Sequence, residues 1–183
     1  MEIILAENHG FCYGVKRAVE MADDAANHCG KSYTLGPIIH NPQVVGRLER
    51  RGVSPVQAVS DIEEGTMIIR SHGVGPAVYD EAEEKGLNVV DATCPYVKKA
   101  QQDAKSVIED GMTLVILGEK NHPEVKSINL WADNKGIIIE DEESAGKLQI
   151  VEKMGVVVQT TFSQFKFNSI IDILEKKSKN LKV

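Results

Sequence analysis

The chain has 183 residues, 42% hydrophobic and 26% charged, which is enough for one large domain or two small ones with a sizeable core. Its net charge is −6, and only the tail segment KKSKNLK is rich in lysine, so nucleic acid is not expected as a partner. No apolar run is long enough to span a membrane, and MEIILAENHG lacks the features of a signal peptide, so we expect a cytoplasmic protein that does not associate with a membrane.

Short apolar runs alternate with helical patterns along the whole chain. In the first half the pattern predicts the strands EIILA, SYTLGPI, TMIIRS and LNVVDA, each followed by a helix: VKRAVEMADDAAN, PQVVGRLERR, PAVYDEAEEK and PYVKKAQQDAKSVIED. In the second half it predicts the strands TLVILGE, GIIIED and GVVVQTT, helices near HPEVKSINLWA and DEESAGKL, and a closing helix over SQFKFNSIIDILEKKSK.

This alternation is typical of the α/β class, in which helices cover parallel sheets. The strands are apolar throughout, which fits burial on both faces. Pro42, Pro76 and Pro95 stand where the first residue of a helix is expected. Because seven strands are many for one sheet of a chain this long, we predict two three-layer αβα units with parallel sheets, over residues 1–94 and 95–183.

Side chains suited to binding or catalysis follow most of the predicted strands. In chain order they are Cys12, His40, His72, Cys94, His122 with Glu124, and Thr160 with Thr161. Ligands of open α/β sheets bind beyond the carboxyl ends of the strands, so we predict that these residues form a functional site. His28 and Cys29 are excluded because they stand at the end of the first predicted helix.

The residue types limit the chemistry of this site. In a reducing compartment the three cysteines are not expected to form a disulfide framework, and two of them at helix starts suit iron or an iron–sulfur cluster, although such clusters usually have more cysteine ligands. Histidines beside the glycine-rich segment SHGVGP suit a phosphate or another anion, and Glu124 is a candidate proton donor. The chain has no Walker loop, no complete GxGxxG motif and no CxxC motif.

Six motifs, in this order and spacing, resemble one enzyme family. They are GFCYGVKRA, IIHNPQVV, RSHGV, DATCP, HPEV and QTT, and they extend over nearly the whole chain. The chain thereby resembles the 4-hydroxy-3-methylbut-2-enyl diphosphate reductases, the LytB family. The resemblance implies a cloverleaf of three α/β units around a [4Fe-4S] cluster. It also implies reduction of an allylic alcohol diphosphate to isopentenyl and dimethylallyl diphosphate, the last step of the methylerythritol phosphate route to isoprenoids, with electrons from ferredoxin, flavodoxin or a similar donor.

The resemblance also implies a role for each candidate residue. Cys12 and Cys94 match two of the family's three cluster ligands. The histidines His40, His72 and His122 match residues that contact the diphosphate substrate. Glu124 matches the proton donor, and Thr160 matches a residue that contacts the substrate hydroxyl and helps to relay the proton.

One part of the family pattern is missing from the sequence. The third unit, with the third cluster cysteine and a serine–asparagine motif for the diphosphate, has no counterpart here. We therefore expect this chain alone to be inactive, as a fragment of a working reductase. The alternatives are a natural two-unit module that binds a phosphorylated ligand without redox chemistry, and an enzyme whose missing unit is a separate chain.

Overall fold

The computed structural model describes residues 3–7 and 9–183, which divide into two compact units. The first unit consists of Met1–Ser71 and Leu87–Cys94, and the second of His72–Gly86 and Pro95–Val183. The segment His72–Gly86 therefore interrupts the first unit and belongs to the second. The sequence-based boundary at residue 94 assigns this segment to the first unit. The periodicity of a helix does not indicate which sheet the helix packs against.

The first unit is built on a sheet of four parallel strands in the order β2-β1-β3-β4. Its elements are α1 Tyr13–His28, β1 Ser32–Leu35, α2 Pro42–Glu49, β2 Val53–Val56, a 3₁₀ turn Val59–Asp61, β3 Thr66–Ile69 and β4 Asn88–Asp91.

Helix α1 packs on this sheet through a face of small residues. Ala18 and Ala22 are fully buried and share a core cluster with Leu48 of α2 and Ile68 of β3. Small side chains let the helix approach the sheet closely, and apolar burial of this kind is the main stabilising contribution. The helix ends where Gly30 adopts a φ of +66°, a conformation that glycine takes without strain.

The second unit is built on another sheet of four parallel strands, in the order β6-β5-β7-β8. Its elements are α3 Pro76–Glu84, α4 Pro95–Glu109, β5 Thr113–Leu117, α5 Pro123–Trp131, β6 Ile137–Ile139, α6 Glu142–Lys147, β7 Val151–Val158, α7 Gln164–Leu174, a 3₁₀ turn Glu175–Lys177 and β8 Ser178–Lys182.

The central strand β5 is buried on both faces. Leu114 and Ile116 lie in a core cluster with residues of α4 and α5, whereas Val115 and Leu117 lie in a second cluster with residues of α6 and α7. Successive side chains of a strand point to opposite faces, so a strand that is apolar at every position needs a helical layer on each side. The second unit is thus a three-layer αβα arrangement.

The predicted α/β class with parallel sheets is confirmed. Pro42, Pro76 and Pro95 each begin a helix, as expected, and Pro123 begins a fourth. Proline suits this position because its fixed φ is already helical and no intrahelical hydrogen bond from its nitrogen is needed there.

The first predicted strand, EIILA, is wrong for residues 3–6, which form no strand; Glu2 lies outside the described residues. Ile3, Ile4 and Leu5 are 79%, 85% and 73% exposed. An apolar, β-branched run has the composition of a strand, but a strand exists only where a neighbour supplies hydrogen-bond partners. Cys12 therefore does not follow a strand among the described residues, although it directly precedes α1.

Two strands of the structure were not predicted. β2 (VSPV) contains Pro55 and lies at the edge of its sheet, a position that tolerates a residue without a backbone N–H. β8 (SKNLK) was included in the closing helix and the basic tail, but the chain turns after α7 and pairs with β7. Its polar composition is typical of an exposed edge strand, which periodicity does not separate from a tail.

Membrane insertion of a helix is not supported by the described part of the chain. None of its helices combines the length and the apolar character that a bilayer-spanning segment requires.

Two glycine substitutions in the second unit are expected to change stability in opposite directions. Gly155 is buried on β7, and a Cβ there would lie 2.6 Å from Cγ1 of Val107 on α4. We expect Gly155→Ala to lower the free energy of unfolding by about 1–3 kcal/mol because the core is overpacked. Gly146, exposed on α6, has no atom within 4 Å of the added Cβ, so Gly146→Ala should raise the free energy by up to about 1 kcal/mol. Urea unfolding followed by the fluorescence of Trp131 measures both; equal changes would contradict the packing.

Candidate active site

The first unit brings Cys12 and Cys94 to the start of the same helix. Cys12 is the exposed N-cap of α1, with φ −64° and ψ 164°. Cys94 is partly buried, and its Sγ lies only 2.5 Å from the position that a Cβ on Gly14 would occupy. The missing side chain of Gly14 is therefore what allows the sulfur of Cys94 to lie against the first turn of α1.

Backbone hydrogen bonds hold the segment that carries Cys94. Its backbone N–H donates to the carbonyl oxygen of Ser71 at 2.9 Å. The guanidinium of Arg17, one turn after Gly14, donates to the carbonyl oxygen of Thr93 at 3.1 Å, and the N–H of Thr93 donates to Oδ1 of Asp91 at 2.9 Å. The position of Cys94 is thus defined both by α1 and by the ends of β3 and β4.

This surrounding fits an iron–sulfur cluster in its donor chemistry. Thiolate sulfur is the ligand that such clusters take from proteins, and Cys12 is exposed. Thr93, next to Cys94, is fully buried, and its hydroxyl has no hydrogen-bond partner within residues 3–7 and 9–183. A buried hydroxyl of this kind usually has a partner, which a bound group can supply. Cys29 is the C-cap of α1, and a helix of 16 residues separates it from Cys12 by about 24 Å. Cys29 therefore lies too far away to share a cluster with Cys12.

His40 lies in the first unit as well, five residues after the end of β1 and two residues before the start of α2. It is exposed, and the following residue, Asn41, caps α2 by accepting hydrogen bonds from the N–H groups of Gln43 and Val44, both at 3.1 Å. The cap defines where α2 begins and so where the chain presents His40.

His72 and His122 meet in the second unit. Their rings pack edge to face, with centroids 5.6 Å apart and an interplanar angle of 74°. His122 is the N-cap of α5, and its Nδ1 accepts a hydrogen bond from the N–H of Glu124 at 3.2 Å. Since this bond occupies Nδ1 as an acceptor, Nε2 is the nitrogen of His122 that carries the proton of the neutral ring.

The segment that carries His72 is attached to α5 by side chains. Oγ of Ser127 donates to the carbonyl oxygen of His72 at 2.9 Å, and the amide of Gln101 on α4 donates to Oγ of Ser127 at 2.9 Å. The indole N–H of Trp131 donates to the carbonyl oxygen of Val74 at 2.8 Å. Ser127 and Gln101 are 2% and 3% exposed, so these polar groups depend on one another for their hydrogen bonds.

Glu124 is a buried carboxyl group held by one threonine. It is 3% exposed, although it lies in the first turn of α5. The backbone N–H of Thr160 donates to Oε1 at 2.6 Å, and the Thr160 hydroxyl donates to Oε2 at 3.0 Å. Thr160 itself is exposed and follows β7, so the pair connects a buried carboxyl group to the surface at the carboxyl edge of the second sheet.

The structure thus groups the predicted residues by unit. Cys12, Cys94 and His40 belong to the first unit, and the others, His72, His122, Glu124 and Thr160, belong to the second.

The sequence reasoning missed the residues that support these groups, namely Gly14, Arg17, Gln101, Ser127 and Trp131. Only Gly14 had a visible signal, because a glycine inside a helix needs a packing reason. Ser127 and Gln101 look like ordinary helix residues in the sequence.

Comparisons with known proteins agree on one family. The family model described as LytB protein matches residues 3–183. The 4-hydroxy-3-methylbut-2-enyl diphosphate reductase of Geotalea uraniireducens is 46% identical over 183 residues, which are 100% of this chain and 65% of that protein. The protein of that name from Geobacter metallireducens is 51% identical over 163 residues, 89% of this chain and 58% of its own length.

Solved structures of enzymes with that name share the fold. A structure of (E)-4-hydroxy-3-methyl-but-2-enyl diphosphate reductase, described as the terminal enzyme of the non-mevalonate pathway, superposes with a TM-score of 0.88 at 44% identity and covers 99% of this chain and 66% of its own. The reductase from Plasmodium falciparum has a TM-score of 0.88 at 29% identity and covers 93% of this chain and 55% of its own. The chain spans about 65% of the length of the Geotalea relative.

The buried connection between Gln101, Ser127 and His72 leads to a stability prediction. Ser127→Ala leaves the Gln101 amide and the His72 carbonyl without their partner, so we expect the free energy of unfolding to fall by about 1–3 kcal/mol. The control is Ser106→Ala on the exposed face of α4, which should change stability by less than about 0.5 kcal/mol. Urea unfolding measures both, and the NMR signals of the His72 ring should shift only in Ser127→Ala. Equal stability of the two variants would exclude this role of Ser127.

Proposed function

The chain belongs to the LytB protein family, and from this premise we propose that it is part of an enzyme that reduces 4-hydroxy-3-methylbut-2-enyl diphosphate to isopentenyl and dimethylallyl diphosphate. The observation that carries the proposal is the Glu124 carboxyl group, which is buried and has both oxygens bonded to Thr160 at a sheet edge. In this proposal the carboxyl group, so positioned, donates the proton that the removal of a hydroxyl group requires.

The overall reaction replaces a C–O bond of the substrate with a C–H bond. It takes two electrons and two protons, and it releases the hydroxyl oxygen as water. A ferredoxin, a flavodoxin or a similar protein is the electron donor in this proposal. When bound, a [4Fe-4S] cluster supplies the electrons to the substrate, and Cys12 and Cys94 are the residues of this chain that would hold it.

Glu124 and Thr160 provide the proton in this proposal. Hydroxide is a poor leaving group, so protonation of the substrate hydroxyl as the C–O bond breaks lowers the barrier. Glu124 donates that proton. Thr160, whose hydroxyl donates to Glu124 Oε2, orients the carboxyl group and contacts the substrate hydroxyl, so that the proton travels a short path from a group protected from water.

The histidines His40, His72 and His122 bind the diphosphate group in this proposal. The net charge of −6 makes the general field of the chain unfavourable for a diphosphate, so local donors must supply the attraction. In this proposal His122 donates to a phosphate oxygen from Nε2, since its Nδ1 accepts a hydrogen bond from the N–H of Glu124. We place the reaction in the cytoplasm, where thiols stay reduced.

A cluster with three cysteine ligands needs one more sulfur than Cys12 and Cys94 supply. We propose that it belongs to a part of the protein outside these 183 residues, in line with the 65% share of the Geotalea relative. The alternative is a two-unit module that binds a phosphorylated ligand without redox chemistry. The intact mass of the native protein separates them: a value well above 20.1 kDa supports the reductase, and a value near it supports the module or a split enzyme.

The activity test compares two carboxyl groups in the native protein. After anaerobic reconstitution with iron and sulfide, the wild type should convert the substrate to both products with a chemical reductant. Glu124→Gln should keep its iron but lose about 10²–10⁴-fold in kcat, because the amide cannot donate the proton. Glu109→Gln removes an exposed carboxylate of α4 and should leave kcat unchanged. A Glu124→Gln enzyme with a near-normal rate would remove Glu124 as the proton donor, and no turnover by the wild type would reject the reductase.

The position of Cys94 leads to a second prediction, with iron content as its measure. In Gly14→Ala the new Cβ would occupy the space of Cys94 Sγ, so the sulfur must move. We expect less iron and sulfide per chain after reconstitution, and a weaker cluster absorbance. Gly46→Ala on α2 is the matched control, since its added Cβ meets only Arg50 and Glu49 side-chain atoms at 3.7 Å or more. Equal iron contents in the two variants would contradict the proposed importance of Gly14.

A further inference from the structure

Arg70 is the first residue after β3, and its side chain packs against Gly36. The parallel register of β1 and β3 pairs Thr34 with Ile68, so two residues further along Gly36 is the neighbour of Arg70. Gly36 is buried and has a φ of +72°. A Cβ at Gly36 would lie 2.8 Å from Nη1 of Arg70. Both the backbone conformation and the space therefore require glycine beneath the guanidinium group.

The guanidinium group of Arg70 has no counter-charge within the described part of the chain. Its Nε is buried and has no hydrogen-bond partner, and residues 3–7 and 9–183 contain no carboxylate in an ion pair with it. Arg70 is partly buried, and this burial lowers the pKa of the guanidinium, with no neighbouring anion acting in the opposite direction. The group stays charged, because arginine does not deprotonate in proteins at neutral pH.

An arrangement of this kind costs stability. A buried polar atom without a partner loses its hydration without replacement, and a partly buried charge loses more. Native proteins satisfy nearly all such atoms, and an exception calls for an explanation such as a bound ligand. A position that requires glycine, beneath an arginine without a counter-charge among the described residues, therefore indicates that the arginine binds a ligand.

The position of Arg70 indicates where the ligand would lie. β1 and β3 are the two inner strands of the first sheet, and Gly36 and Arg70 follow their carboxyl ends. Ligands of α/β sheets bind beyond this edge. Cys94 follows β4, the next strand of the same sheet, and His40 follows β1, so Arg70 lies on the edge that carries these two candidate residues.

We propose that Arg70 is an oxyanion-binding residue that contacts a phosphate oxygen of the substrate, an inference that rests on the proposed diphosphate chemistry. The planar guanidinium presents parallel N–H donors that match two oxygens of a phosphate group, which a lysine does not reproduce. The bound oxyanion supplies the counter-charge that the guanidinium group lacks among the described residues. The positive charge of Arg70 does not depend on pH near neutrality.

The test uses the cluster-free chain with inorganic pyrophosphate as the probe. The dissociation constant is measured by NMR titration for the wild type, Arg70→Met, Arg70→Lys and Arg50→Met. Arg50→Met is the matched control, because it removes an exposed arginine of the same unit. Sodium chloride at equal ionic strength separates specific binding from general screening. Arg70→Met should bind pyrophosphate at least about tenfold more weakly than the wild type, Arg70→Lys should lie between them, and Arg50→Met should stay within about twofold.

Thermal unfolding without any added anion gives an independent readout. Since Nε of Arg70 is buried without a partner among the described residues, Arg70→Met should raise Tm by about 2–4 °C. Loss of a residue that is held by partners inside the protein would lower Tm instead. Pyrophosphate should raise Tm of the wild type more than Tm of Arg70→Met.

Three results would overturn the inference: a wild-type chain that does not bind pyrophosphate, equal affinities of Arg70→Met and Arg50→Met, or a lower Tm of Arg70→Met. A native enzyme that does not reduce the substrate, together with Arg70-dependent pyrophosphate binding, would overturn the proposed reductase and leave the oxyanion site standing.

Discussion

Parallel pairing of the strands is the constraint on which the candidate site depends. In a parallel sheet every strand ends at the same edge, so the residues that follow different strands collect there whatever their distance in the chain. In the first unit this brings together the segments after β1, β3 and β4, which carry His40, Arg70 and Cys94. In the second unit the same constraint places Glu124, after β5, within hydrogen-bond distance of Thr160, after β7.

Once the strands have brought the segments to an edge, buried polar contacts define their geometry. Arg17 holds the carbonyl of Thr93, and Ser127 holds the carbonyl of His72. These contacts bond the backbone carbonyl of one candidate residue, His72, and that of Thr93 next to another, Cys94. Close packing has the same effect at Gly14, where a missing side chain makes room for the sulfur of Cys94. Arg70 is different, since its buried Nε has no hydrogen-bond partner in the part of the chain that the structure describes. Proteins accept such local costs where a ligand compensates for them.

The elements that the sequence predicted well are those whose signal is local. Helices that begin at proline and strands such as TLVILGE are specified by side chains within a few residues of one another. The errors arose where pairing decides the structure. EIILA has the composition of a strand but no neighbouring strand among the described residues, whereas SKNLK has the composition of a tail but pairs with β7. Packing also decides that His72–Gly86 belongs to the second unit, because helical periodicity does not indicate which unit a helix packs with.

The sequence by itself determined the α/β class, the order of most elements and the candidate binding and catalytic residues. It could do so because helix starts are marked by residues such as proline and because the six motifs are specific to one family. The family model, which matches residues 3–183, confirms that resemblance. Only the tertiary structure decided which side chains meet. Nothing in the sequence indicates that both oxygens of Glu124 bond to Thr160, that Gln101 and Ser127 support His72, or that Gly36 lies beneath Arg70. The physical reason is that these contacts join residues from 26 to 55 positions apart, and their distances are set by sheet register and helix packing rather than by local spacing.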